Sequence, residues 1–286
     1  MSATDPEMLQ YLVEVTPRYA EIHRQTWPII VKPYRDELLE SWLCRVAYAN
    51  GTSSDFIMRA AKLSVPLRPK LQNAAASQPA IKFLADMTGV RRKTLSCLLT
   101  QNTQLVSLSL PMRRKCRPKT STWLQFCPNC LANDIDPYFR TEWRLATRIS
   151  CFLHRKRLRD RCPCCLSGIS LLAQKHLIPQ HICTRCGFDL RSAAHVSISA
   201  AARWLDAAID AQLKARENTV HFGKLLLSLQ KLPTRLKQHS SSSLTSLSTA
   251  ARAQCFQSLG EDGFERLFHG TAMPNFKRTF KYESAV

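Results

Sequence analysis

Four short ligand pairs carry the chemistry that this chain offers. They read CPNC at Cys127–Cys130, CFLH at Cys151–His154, CPCC at Cys162–Cys165 and CTRC at Cys183–Cys186. Each sets two soft ligands two residues apart, the spacing with which one tight turn aims both at a single metal, and two such pairs complete a tetrahedron around zinc. Eight ligands therefore predict two zinc ions. Sequential pairing groups Cys127, Cys130, Cys151 and His154 at one site and Cys162, Cys165, Cys183 and Cys186 at the other; an interleaved pairing satisfies the spacing equally. His176, His181 and Cys164 are rival ligands, and Cys164 can exchange with Cys165. Disulfides are the bland alternative, but the start MSATDPEMLQ lacks the basic and apolar regions of a secretory signal, and intracellular thiols stay reduced. Iron–sulfur clusters favour four thiolates, whereas the first set includes a histidine. Four protein ligands per ion leave no position for water, so both sites read as structural.

The elements that must position these pairs are mainly helical. The chain has 286 residues, 45% of them hydrophobic, with only 8 Gly; alternating strand patterns are few. No apolar run reaches about 18 residues, so the expectation is a cytoplasmic protein without a membrane span. Net charge is +20 and concentrates between residues 61 and 195, a one-sign field that attracts phosphate polymers.

Five intervals follow: an N-terminal arm (1–32), a helical helix-turn-helix region (33–110), a basic linker (111–125), tandem zinc modules of the ribbon type (126–190) and a helical C-terminal region (191–286). In the second interval Asp36 or a neighbour caps a helix with an apolar face of Leu38, Leu39, Trp42, Leu43, Val46 and Ala47. Asn50-Gly51 stops it, Thr52-Ser53-Ser54 caps the next helix, and Phe56, Ile57, Ala60, Ala61 and Leu63 continue it. A second pair follows, with Ile81, Phe83, Leu84 and Met87 before the Thr88-Gly89 break and Val90, Leu95, Leu98 and Leu99 after it. Arg91, Arg92 and Lys93 open that last helix, where helix-turn-helix proteins place groove-contacting residues. The linker carries Arg113, Arg114, Lys115, Arg117 and Lys119, an arm suited to a phosphate backbone. Between the first two ligand pairs, Tyr138, Phe139 and Trp143 should pack over the metal sites, and 142–149 reads as a helical tail. Arg155–Arg161 forms a further basic cluster. Walker-type loops, HExxH, GxSxG and recognisable acidic triads are absent, which predicts a protein that is not an enzyme.

Three segments together resemble the TniQ family, the target-selection proteins of transposons that use an AAA+ ATPase and a DDE transposase. They are PYRDELLESWLCRVAYANG, LADMTGVRRKTLSCL and FCPNCLANDIDPYFRTEWRLATRISCFLH followed by CPCC and CTRCGFDL. The resemblance covers about residues 33–190 and is most specific in the last segment, where order, spacing and an aromatic-Arg-x-x-Trp-Arg run coincide. It implies helix-turn-helix elements with tandem zinc modules, the eight ligands above, and DNA and an AAA+ transposition ATPase as partners. In some members it implies an RNA-guided CRISPR complex of the Cascade type with its guide RNA, and a homodimer. The C-terminal third matches no family segment. A zinc-containing transcription regulator that binds specific DNA sites is the alternative reading.

Overall fold

The computed structural model describes residues 26–61, 74–100, 105–110, 124–171, 177–216, 222–235 and 243–267. Among these the protein is mostly helical with little strand: extended pairing is limited to isolated antiparallel bridges.

Helix α1 (Leu39–Ala49) turns Trp42, Leu43, Val46 and Ala47 into the core. It ends at Asn50 with Gly51 at φ +64°, the left-handed conformation that glycine adopts without a Cβ penalty. The Asn50 side chain also clamps the backbone of Ile29, accepting from its N–H and donating to its carbonyl, both at 2.9 Å. The start of α1 differs from expectation. Its N-cap, Leu38, offers no side-chain bond. Asp36 instead accepts from the Tyr138 hydroxyl at 2.9 Å, and the buried Glu37 takes the Tyr34 N–H and the Ser41 hydroxyl. Helix α2 (Ser54–Ala60) is capped as expected, with Ser53 Oγ accepting from the Phe56 N–H at 3.2 Å.

Helices α3 (Ala74–Thr88) and α4 (Arg92–Thr100) flank a three-residue turn. Gly89 takes φ +67° there, and the Thr88 hydroxyl donates to the Leu84 carbonyl while accepting from the Val90 N–H. Ile81, Leu84, Leu95 and Leu98 face inward. The first core joins these four helices to the cysteine-rich segment: Trp42, Leu43, Ile57 and Leu84 share one cluster with Phe126, Phe139, Trp143 and five of the ligand cysteines.

A second core forms around α6 (Ala200–Arg216), α7 (Phe222–Gln230), α8 (Leu232–Arg235) and α9 (Thr249–Leu267). It takes Leu108 and Leu110 from before the linker, and Ala146 and Ile149 from between two ligand pairs. A buried polar seam joins α9 to the cysteine-rich segment. Gln125 Nε2 donates to the carbonyls of Trp143, Leu145 and Arg148, and Gln125 Oε1 accepts from Thr249 Oγ1 at 2.9 Å. The wholly buried Arg252 donates to Thr249 Oγ1 and to the Ala146 carbonyl. Its guanidinium is brought down to about 10 by burial, with Asp160 and Asp206 opposing.

This seam explains why 142–149 is not the helical tail that its apolar spacing predicts. Only a 3-10 turn forms, at Thr141–Arg144. The carbonyls that an α-helix would pair internally are taken by Gln125. The N–H groups of Ile149 and Ser150 are taken by the buried Asp206 carboxylate, at 3.2 and 2.8 Å.

Candidate metal centres

Three of the four ligand pairs sit on one and the same turn. In each, the first cysteine's carbonyl accepts from the N–H four residues on: Arg155 to Cys151 at 2.8 Å, Leu166 to Cys162 at 3.0 Å and Gly187 to Cys183 at 2.9 Å. The same cysteine's N–H donates one residue further on, to the carbonyls of Lys156, Ser167 and Phe188. Bridges Ser150–Arg157, Arg161–Gly168 and Ile182–Asp189 close each hairpin one step outside. The geometry forces the fifth residue of each turn to positive φ: +52° at Arg155, +56° at Leu166 and +74° at Gly187. The remaining pair is helical instead. Cys127 is the N-cap of the short helix α5 (Pro128–Asn133) with Pro128 in its first turn, a position where a missing N–H costs nothing.

The turns bring the eight donors together as two sequential sets, Cys127, Cys130, Cys151 and His154, and Cys162, Cys165, Cys183 and Cys186. Within each set the ligand atoms all lie within 4.8 Å of one another, so each set could hold a metal ion. In the first, His154 Nδ1 lies 3.4, 3.3 and 3.5 Å from the sulfurs of Cys127, Cys130 and Cys151, and Cys130 and Cys151 are 3.5 Å apart. In the second, Cys162 and Cys186 are 3.6 Å apart and Cys165 and Cys183 3.7 Å. A tetrahedral zinc with bonds of about 2.3 Å to sulfur and about 2.0 Å to nitrogen separates its donors by about 3.8 Å (S to S) and about 3.5 Å (S to N). The donor sets fit that tetrahedron. They exclude disulfides, which need about 2.05 Å, and no cysteine among the described residues is in a disulfide.

The donors compete for protons, which a dication would replace. Hydrogen bonds from Cys127 and Cys130 hold the Cys151 thiol far below its ordinary value against burial. Hydrogen bonds to Cys127 and Cys151, with burial, push Cys130 far above it. Burial raises Cys165, but bonds from Ser167, Cys186 and Cys183 outweigh it and bring the thiol down to about 6. Outside the ring, Asn133 Nδ2 is placed 3.3 Å from His154 Nε2. With Nδ1 on a metal, Nε2 carries the proton, so the amide must present its oxygen there instead.

Of the rival ligands, Cys164 is exposed and His181 joins neither set; His176 lies outside the described residues. Of the expected phosphate contacts, Arg91, Arg92 and Lys93 are all exposed, and Arg92 Nη2 lies 3.7 Å from Asp86 Oδ1. Arg113, Arg114, Lys115, Arg117 and Lys119 lie outside the described residues.

What sequence spacing did not show is how the ligand segment is locked to α1. Phe139 and Trp143 meet edge to face at 5.9 Å, both fully buried, whereas Tyr138 is half-buried and stacks on Tyr34. The Phe139 N–H donates to Ser41 Oγ, and the Leu38 N–H donates to the Phe139 carbonyl. Arg140 grips Asp134, at the end of α5, through two nitrogens at 2.8 and 3.1 Å. Arg144 reaches Glu40 and the Leu110 carbonyl. The Glu-Ser-Trp-Leu run of α1 and the Phe-Arg-x-x-Trp-Arg run, a hundred residues apart, are two halves of one joint. Glu37, Glu40 and Ser41, polar residues on and beside the apolar start of α1, were the available signal.

Comparison with protein-family models matches residues 28–158 to TniQ, the stretch that contains this joint and the whole of the first donor set. No curated protein matches the chain. Among the described residues no helix is long and apolar enough to cross a membrane. By this match the chain carries a TniQ domain over residues 28–158, somewhat less than half of its 286 residues.

Proposed function

We propose that this protein is a non-enzymatic adaptor that links a DNA target, or an RNA-guided CRISPR complex of the Cascade type, to an AAA+ ATPase regulator and its transposase. The observation that carries the reading is the family match over 28–158, which ends inside the run of donor turns. The eight donors hold two zinc ions in the sequential sets, and these act structurally, since each set fills all four positions with protein ligands. Arg91, Arg92 and Lys93, exposed at the start of α4, and the arm from Arg113 to Lys119 contact phosphates, with α3 and α4 as a helix-turn-helix. The intervals 1–32, 33–110, 111–125, 126–190 and 191–286 are its functional division, and the C-terminal helices support the donor segment through the buried seam.

The test is affinity purification of the tagged protein from its own host, with co-purifying proteins and RNA both identified. Recovery of an AAA+ ATPase in stoichiometric amount is the expected result, and guide RNA with CRISPR proteins would assign the targeting mode. Recovery of discrete duplex sites with no ATPase overturns the adaptor reading in favour of a transcription regulator.

A further inference from the structure

We infer that the segment 155–161 is a rigid cationic rail that binds the phosphodiester backbone of a nucleic acid, a site separate from α4 and the 113–119 arm. The inference rests on the nucleic-acid part of the proposed function.

The segment reads Arg155-Lys156-Arg157-Leu158-Arg159-Asp160-Arg161. Its burial alternates. Leu158 and Asp160 are buried, at 1% and 8% exposure, and the Asp160 carboxylate is spent on the Thr249 N–H at 2.9 Å. Arg157, Arg159 and Arg161 reach the surface between them, with Arg155 and Lys156 exposed at the end. In extended backbone alternate residues share one face and lie about 6.6 Å apart, a regular spacing of the kind that successive phosphates offer. The one acid in the run points the other way, so the outward face carries a single sign.

The rail is fixed by its neighbours on both sides. Arg157 bridges to Ser150, Arg159 to Phe126 and Arg161 to Gly168. Each partner residue adjoins or closes a donor turn: Ser150 precedes Cys151, Phe126 precedes Cys127, and Gly168 closes the hairpin of Cys162. Both metal centres therefore hold the register of the arginines. Arg157 and Arg159 are bound through neutral groups: the Arg157 N–H to the Val196 carbonyl, and Arg159 Nη1 to the Ala194 carbonyl at 2.8 Å. Lys156, Arg157 and Arg159 form no ion pair with an acidic side chain among the described residues. Burial and then the nearby Arg157 push the Arg159 guanidinium below its ordinary value, with Asp160 and Cys162 opposing. Arg155 adds a second sign of cost: it occupies a positive-φ position that Gly187 fills in the third turn. Like charges at Lys156, Arg157 and Arg159, held close by a fixed backbone, repel one another, and a polyanion relieves that repulsion.

The test measures binding of fluorescent 30-base-pair duplex DNA and of a 30-nucleotide single-stranded RNA to the zinc-loaded full chain across a salt series. The variants are Lys156→Gln/Arg157→Gln, a matched control Lys224→Gln/Lys231→Gln on exposed positions of α7 and its end, and Arg92→Gln. Two zinc per chain and an unchanged unfolding midpoint show that each variant is folded. The rail predicts that the 156/157 pair weakens binding on the order of tenfold or more and lowers the log–log salt slope by about 2 on duplex, or about 1.4 on single strands. It predicts that the control pair changes neither and that Arg157→Lys restores most of the loss. Whichever polymer shows the change is the ligand source. Equal loss in both double variants, or none in the 156/157 pair, overturns the rail; if Arg92→Gln still weakens binding, the proposed function stands without it. A wild-type chain that binds neither polymer in a salt-dependent way overturns the rail together with the nucleic-acid contacts, while the ATPase link is decided by the purification.

Discussion

Replacing Asp206 by Ala should loosen the first donor set from a distance. Asp206 lies on α6, in the second core, and is 2% exposed. Its Oδ2 accepts from the Ile149 N–H, the Ser150 N–H and Ser150 Oγ at 3.2, 2.8 and 2.6 Å, and its Oδ1 meets Arg148 at 3.2 Å. Alanine leaves two backbone donors buried without partners, at about 1–3 kcal/mol each. Arg148 keeps Asp210 at 2.6 Å, so its charge is not stranded. The two lost donors sum to about 4 kcal/mol, a large share of a typical stability of about 5–15 kcal/mol. Asn at 206 keeps one acceptor for the Ser150 N–H and should cost about half as much. Urea unfolding of the zinc-loaded protein should show the Ala midpoint lower by about 1–2 M. Because Ser150 immediately precedes Cys151, zinc release to a chromogenic chelator should accelerate in one of two phases. A midpoint within about 0.3 M of wild type, or equal acceleration of both phases, refutes the reasoning.

The second set is tested by Cys183→Ser, which should reduce bound zinc from two to one per chain by elemental analysis and leave a single release phase, that of the first set. Retention of both ions would show that Cys183 is not a ligand. Leu166→Gly should stabilise the protein by about 0.5–1 kcal/mol, since a left-handed residue with a Cβ costs about 1–2 kcal/mol and glycine's extra chain entropy returns part of that. Gly187→Ala, whose added Cβ would meet nothing within 4 Å, should destabilise by about 1 kcal/mol for the same conformational reason; thermal melts of the two should shift in opposite directions. Alkylation with iodoacetamide at pH 8, read by mass spectrometry, should label Cys97 and Cys164, which are exposed. It should spare Cys44, which is buried and has a thiol pushed up to about 12 by that burial; modification of Cys44 at a rate like that of Cys97 would contradict its place in the core.

The helices of the first core were legible because their apolar residues recur at helical spacing and their ends carry local signals: Ser53 at the start of α2, Asn50-Gly51 after α1, Thr88-Gly89 after α3. The donor turns were legible because two ligands two residues apart leave few conformations. Sequential pairing was not, because either pairing satisfies the spacing, and the choice is made by bridges such as Phe126 to Arg159 and Arg161 to Gly168. The segment 142–149 departs from its helical periodicity because that pattern is local, while the groups that decide its backbone, Gln125 and Asp206, lie outside it. The same holds for Arg252, an arginine on an otherwise amphipathic helix whose burial depends on carbonyls over a hundred residues away.

The two donor sets differ in what they hold. Cys127, Cys130 and Cys151 pack in the first core, but the segment that leads into Cys151 supplies Ala146 and Ile149 to the second and is gripped by Gln125 on one side and Asp206 on the other. The first set therefore sits where the two cores meet. The second set has its ties within the first core, through Cys162, Ile169, Cys183 and Leu190. Loss of the first ion should be felt by α6 and α9 as well as by α1, and loss of the second mainly by the hairpins that carry it. The rail at 155–161 runs between the two sets, so its register depends on both, and a phosphate backbone bound along it would in turn stabilise the turns on either side by mass action.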